Sequence, residues 1–203
     1  MNENNMRRRP HLQAAHQAWK SIVRPGDTVI DATCGNGHDA LILAQLALTP
    51  QSGTLFAMDI QSQALVSAQQ RLRAGLTPEC LSRVKFIQSC HSKFPDEILP
   101  NSVKLVVYNL GYLPGGDKTI TTKKDSSLAS LKSALELLAP GGMICMTLYP
   151  GHSEGKEEED LLLPYIASLD ARLWLCQHQR WINRLNAPSL IFVEKEMILH
   201  LAH

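Results

Sequence analysis

Neither sign of charge dominates this chain: 20 Lys and Arg stand against 19 Asp and Glu, a formal net charge of +1. A global field for nucleic acid is thereby excluded, and any contact with RNA must use local patches. The five cysteines (34, 80, 90, 145 and 176) lack the spacing of a zinc site. Their odd number suits reduced thiols in a cytoplasmic protein better than a disulfide framework. No apolar run is long enough to span a bilayer and no signal peptide is recognisable, so no membrane partner is expected. Internal repeats, low-complexity tracts and linkers are also missing. What is there, 203 residues with 44% hydrophobic content, is expected to form one domain over residues 1–203 with a full core. The first nine residues read as a flexible basic tail ending in Arg7-Arg8-Arg9.

The chain is organised around residues 28–39. Thr28 to Ala32 is a short, β-rich apolar run, and Gly35 and Gly37 allow a tight turn and close approach to a ligand. From Asp39 onward, Leu41, Ile42, Leu46 and Ala47 suit a helix packed on a sheet. Strand, glycine turn and helix N-terminus together make a nucleotide site. A third glycine is lacking; Ala40 stands in its place, so the glycines alone do not choose the nucleotide. The acids do. Asp31 at the end of the first strand repels a pyrophosphate but suits an ammonium. Asp59 ends the next apolar run, Thr54 to Met58, where a carboxylate can take two ribose hydroxyls. One acid for an amino group and one for a ribose describe S-adenosylmethionine (SAM) better than NAD. The bland alternative is a structural turn with a capping Asp.

The rest of the chain alternates strands and helices. A helix beginning at Pro10 carries Leu12, Ala15, Trp19, Ile22 and Val23 at helical spacing and stops at Pro25-Gly26, with His11 and His16 on or near it. Both histidines read more readily as solvated or core-edge groups than as site residues. A helix over 62–74 precedes a third strand, Val84 to Ile87, which ends at Ser89-Cys90-His91, where a loop should edge the adenine. The fourth strand is Val103 to Tyr108. A helix over 126–138 is followed by a fifth strand, Met143 to Leu148, and then by a helix over 154–168. Its acidic run, Glu157 to Asp160, reads as the first turn and a solvated face. Segments 171–181 and 189–196 look like an antiparallel pair at one edge. This alternation predicts an α/β fold, a mostly parallel doubly wound sheet.

The fourth strand runs into a second unusual stretch, Asn109-Leu110-Gly111-Tyr112-Leu113-Pro114, then Gly116-Asp117-Lys118. Strand ends line the ligand crevice of such a sheet. The Asn109 side-chain oxygen and the Leu110 carbonyl can accept N–H bonds, steering a nitrogen lone pair toward a sulfonium methyl. Tyr112 could pack on the base or cofactor, and His152 is a candidate proton acceptor on the next strand-end loop. Lys118, Lys123, Lys124, Arg180 and Arg184 fall on loops expected near the open face, where RNA phosphates would need them.

These stretches, with Asp31-Ala32-Thr33-Cys34-Gly35-Asn36-Gly37, Asp59-Ile60-Gln61, Gly151-His152-Ser153-Glu154-Gly155 and Asn186-Ala187-Pro188, resemble the MnmM (YtqB-like) tRNA methyltransferase family, long labelled "putative rRNA methylase". The resemblance covers about residues 12–195. It implies a Rossmann-like class I SAM-dependent methyltransferase with a seven-stranded, mostly parallel sheet and an antiparallel edge hairpin. It also implies N-methylation of 5-aminomethyl-2-thiouridine at the wobble position, on a tRNA anticodon stem-loop. The cofactor side is then Asp31, Asn36, Gly37, Asp39, Asp59, Ile60, Gln61, His91 and Asn109. Asn109, Tyr112 and His152 are the catalytic candidates. Leu110, Gly111, Lys118, Lys123, Lys124, Arg184 and Asn186 are the substrate side. Two positions depart from the family pattern: Ala40, where Thr is common, and Ser89, where an acid is common. A SAM enzyme acting on another amine is the alternative. The sequence leaves the oligomeric state open, a homodimer included.

Overall fold

The computed structural model describes residues 9–111, 122–184 and 186–197. Tyr112 and Lys118 lie outside them. The described elements are α1 (Pro10–Ile22), β1 (Thr28–Asp31), α2 (His38–Ala47), β2 (Thr54–Asp59), α3 (Ser62–Gly75), α4 (Pro78–Leu81), β3 (Val84–Gln88), β4 (Val103–Asn109), α5 (Lys124–Leu137), β5 (Leu138–Leu148), α6 (Ser153–Ala167), β6 (Trp174–Gln179) and β7 (Ser189–Lys195).

The strands form one seven-stranded sheet in the order β3-β2-β1-β4-β5-β7-β6. The first five are parallel to one another; β7 runs antiparallel between β5 and β6. The expected edge hairpin is therefore present, with its later strand on the inside. Only β7 opposes the rest, because a strand antiparallel to both neighbours leaves β6 pointing with β5.

Alternation along each strand splits the core in two, as period-2 side chains must. Val29, Leu55, Leu105, Val107, Cys145 and Phe192 pack on the side of α1, α2 and α3. Ile30, Phe56, Val106, Tyr108, Ile144 and Ile191 pack on the side of α5 and α6. Helices on both faces explain why β1, β2 and β4 read as nearly continuous apolar runs.

Several boundaries differ from the sequence reading. The fifth strand starts at Leu138, directly after α5, and its pairing with β4 is irregular between Val103 and Leu105. Pro140-Gly141-Gly142 therefore lies inside an irregular strand rather than in a loop. A short helix, α4, was not expected; Pro78 opens it and the Thr77 hydroxyl accepts the Cys80 N–H. The acidic run of α6 needs the larger correction. The helix begins at Ser153, so Glu157 to Asp160 fall in its second turn, and Glu158 and Glu159 are only 1% and 3% exposed. The Ser127 hydroxyl donates to Glu158 (2.6 Å), and Lys156 donates to Glu159 (3.3 Å). Two of the four acids thus face inward, because positions one and two turns apart share the face that α6 presents to α5 and the sheet.

Candidate active site

The strand order reverses direction between β1 and β4, which opens a crevice beyond their C-terminal ends. Two polar residues flank it: Asp31 ends β1 and Asn109 ends β4. The two ends are tied together. Ala32 N–H donates to the Val107 carbonyl (2.9 Å), and Asn109 N–H donates to the Thr33 hydroxyl (2.7 Å).

The turn after β1 is shaped by its glycines. Gly35 and Gly37 both have left-handed φ, 47° and 75°. At Gly37 a Cβ would lie 2.8 Å from the Ala68 Cα, so glycine is required both by conformation and by the close packing of α2 on α3. The Asp59 carboxylate sits across this turn. One oxygen accepts the Gly35 N–H and the other the Gln61 N–H, each at 2.9 Å. Asp59 thus braces the loop, and each oxygen keeps a lone pair for a ligand hydroxyl. Ile60, beside it, is 57% exposed, an apolar surface at the mouth of the site. Asn36 is half-buried, and its carbonyl accepts the Arg71 Nε–H (2.7 Å).

Asp31 is the electrostatic centre. It is 1% exposed; Oδ1 accepts the Thr33 N–H (3.3 Å), while Oδ2 is buried with no hydrogen-bond partner among the described residues. Burial, reinforced by the nearby Asp39 and Asp59, pushes its pKa well above the usual carboxylate range. A cation in the crevice would reverse that shift and supply the missing partner. SAM brings both an ammonium and a sulfonium, so the residues present fit it.

Asn109 has a defined orientation. Its side-chain amide donates to Asp39 Oδ2 (2.6 Å), and only the NH₂ end can face a carboxylate. Its Oδ1 therefore points the other way, where the Tyr149 hydroxyl approaches at 3.4 Å. The other Asp39 oxygen is held by His16 Nε2 at 2.9 Å. Burial lifts the Tyr149 phenol to about 12, so it stays a neutral donor. Asp39, read from sequence as a cofactor ligand, has both its oxygens engaged with His16 and Asn109.

Sequence reasoning passed over Tyr149 and read His16 as a solvated or core-edge group. Tyr149 could have been found, because it follows the end of β5, next to β4 in the sheet. His16 was expected on a helix beside the sheet, but its bond to Asp39, 23 residues away, is decided only by tertiary packing. His11 is also buried, pushed down to about 4 chiefly by desolvation, with its ring edge-on to Tyr149.

The remaining expected residues are more scattered. Leu110 is fully buried, its N–H bonded to the Thr147 carbonyl (3.0 Å); Gly111 accepts the Thr122 N–H (3.1 Å). His91 is buried against Tyr108, its Nε2 without a hydrogen-bond partner among the described residues, and burial lowers its pKa to about 4. His152 is exposed at the N-cap of α6. Lys123 and Lys124 are exposed at the start of α5, and Lys124 pairs with Glu157 at 3.0 Å. Arg184 and Asn186 are exposed between β6 and β7, with Asn186 in a left-handed conformation (φ 58°). At Ser89, one of the departures, the backbone N–H donates to the Asp59 carbonyl (3.1 Å). Ala40, the other, is buried in the packing of α2.

Comparison with known proteins places this geometry. The family model described as "Putative rRNA methylase" matches residues 55–195. The chloroplastic tRNA (mnm(5)s(2)U34)-methyltransferase of Arabidopsis thaliana is 39% identical over 193 residues, 93% of this chain and 70% of that protein. A structure from Clostridium thermocellum described as a "putative rRNA-methylase" superposes with a TM-score of 0.84 at 36% identity, covering 91% of this chain and 97% of the other. A Streptococcus mutans structure, described as a "putative methyltransferase" in complex with SAH, gives a TM-score of 0.79 at 27% identity, with the same coverage of each chain.

Proposed function

The chain belongs to the rRNA methylase family, and from that membership we propose that it N-methylates 5-aminomethyl-2-thiouridine at tRNA wobble position 34, with SAM as methyl donor. The observation that carries the reading is the orientation of Asn109, whose oxygen is turned away from Asp39 as a ready acceptor.

The cofactor would be held by residues of the crevice. Asp31 takes its positive end, Asp59 its ribose, and Ile60, Gln61 and His91 border the adenine. Asn36 and Gly37 contribute the loop between them. When bound, SAM supplies an electrophilic methyl group on its sulfonium. Such a methyl needs little activation, so the protein's task is to position a neutral amine, since an ammonium has no lone pair. Asn109 Oδ1 and the Leu110 carbonyl accept the amine N–H bonds, and Gly111 leaves room for the approach. Asp39 fixes the Asn109 amide, His16 fixes Asp39, and Tyr149 closes the far side. Tyr112 stays assigned to stacking and His152 to accepting the released proton.

The tRNA is engaged through its anticodon stem-loop, with Lys118, Lys123, Lys124, Arg184 and Asn186 on the RNA side. A single methyltransferase domain carries all of this, in the cytoplasm. The five thiols are free, and among the described residues no helix is long and apolar enough to cross a membrane. Mass spectrometry of wobble nucleosides from a strain lacking the protein is the deciding experiment. Accumulation of the 5-aminomethyl form is expected. An unchanged wobble profile, with loss of a methylated amine elsewhere in RNA, DNA or small molecules, would move the activity to that substrate.

A further inference from the structure

Beside the Asn109 site lies a cleft of about 420 Å³, of whose lining the reading above uses only Arg184 and Asn186. Residues 180–182, 184 and 186–187 form one wall and α6 the other. Its lining includes Lys156, Glu159, Arg180, Trp181, Ile182 and Arg184. Three are cations and one is an acid, so the cleft is net positive although the whole chain carries only +1.

Three features point to a ligand. Glu159 lines the cleft yet is 3% exposed; Lys156 donates to its Oε2, and among the described residues its buried Oε1 has no hydrogen-bond partner, with His178 Nε2, itself unpaired, at 3.7 Å. Trp181 is half-buried, one flat ring among charged neighbours. Ile182, at the rim, is 100% exposed. A flat apolar ring, a buried acceptor and a rim of guanidinium groups match an unstacked nucleotide: ring for the base, acceptor for its N–H edge, arginines for its phosphates.

The cleft is also within reach of the reacting amine. The Tyr149 hydroxyl contacts Asn109, the His11 ring meets Tyr149 at 6.0 Å between centroids, and it meets Trp181 at 6.4 Å. Two edge-on ring contacts thus separate the cleft from the methyl acceptor, a spacing suited to splayed neighbouring nucleotides.

We propose that this cleft is a second nucleotide subsite, seating the unstacked base next to the modified nucleotide between Trp181 and Glu159, with Arg180 and Arg184 on the adjoining phosphates. The inference rests on the tRNA reading above. It adds a specificity device, because the enzyme would read a neighbour as well as the wobble base itself.

The test is a cycle between enzyme and RNA. Anticodon stem-loops carrying the 5-aminomethyl group are made with an abasic residue on either side of the target, and methylation is followed at saturating SAM. With wild-type enzyme, one of the two abasic substitutions should raise KM on the order of tenfold or more, as expected for a lost base–aromatic stack, with little change in kcat. Trp181→Ala should show the same rise with the intact stem-loop and no further rise with the abasic one, whereas Trp181→Phe should recover most of the affinity. Methylating the Watson–Crick N–H of that base keeps the ring and removes the donor; a rise in KM is expected, and no change would take Glu159 out of the subsite. If neither abasic substitution affects the wild type, or if it costs the Trp181→Ala enzyme as much as the wild type, the subsite does not exist. If the wild type methylates no stem-loop at all, the tRNA reading itself fails, which is a distinct result.

Discussion

At the scale of single residues, the crevice works through orientation. In the proposed reading Asn109 acts because its amide is anchored by Asp39, which leaves the oxygen for a substrate N–H. Asn109→Ala should leave SAM binding nearly unchanged, since the contacts proposed at Asp31 and Asp59 remain. Single-turnover methylation should slow by on the order of a hundredfold, as lost positioning of a reactant implies. A wild-type rate in that variant would reduce Asn109 to a turn residue. Asp59 carries a different load. Its carboxylate already braces the Gly35 and Gln61 N–H groups and is assigned the ribose as well. Asp59→Ala should weaken SAM binding by about 1.5–3 kcal/mol, the range for hydrogen bonds to a charged group. Calorimetry reads this directly, and unchanged affinity in the folded variant would exclude the ribose contact.

At the scale of elements, the glycine turn and the two helices behind it act as one unit. Gly37 is the N-cap of α2, has φ 75°, and leaves no room for a Cβ against Ala68 of α3. Gly37→Ala combines left-handed strain of about 1–2 kcal/mol with overpacking of about 1–3 kcal/mol. It should lower Tm clearly in thermal denaturation and weaken SAM binding, because α2 must move away from α3 and takes the loop with it. A neutral effect on both would mean that the two helices yield more easily than their contact suggests. The need for glycine here was legible in the sequence as a turn. The Ala68 contact was not, since it joins residues from two different helices.

For the whole molecule, the near balance of charge makes RNA affinity a local matter. Lys123 and Lys124 stand exposed at the start of α5, but Lys124 is paired with Glu157, which also raises its pKa. Lys123 is therefore the better phosphate partner. Lys123→Gln should raise the KM for tRNA and reduce the salt slope by about one unit, with Lys124→Gln having the smaller effect. SAM affinity should not move in either. Titrations of tRNA across a salt series make the check, and a full slope in the double variant would leave both lysines as solvated surface charges.

The order of strands and helices apart from the short α4, the polar residues at strand ends and the glycine turn were all determined by the sequence alone. Each is written in a few neighbouring residues: apolar period, turn chemistry, and an acid or amide where a strand stops. Because strand ends meet at the switch point of such a sheet, the sequence already places Asp31, Asp59 and Asn109 near one crevice. Tertiary structure decided what those groups do to one another. The bond from Asn109 to Asp39 joins residues 70 apart, and that from His16 to Asp39 joins residues 23 apart. No local pattern encodes either. The same holds for Glu158 and Glu159, whose acidic run reads as solvent-facing until α6 is docked on its neighbours. A side chain's chemistry is local; its burial and its partner belong to whichever distant segment the fold brings against it.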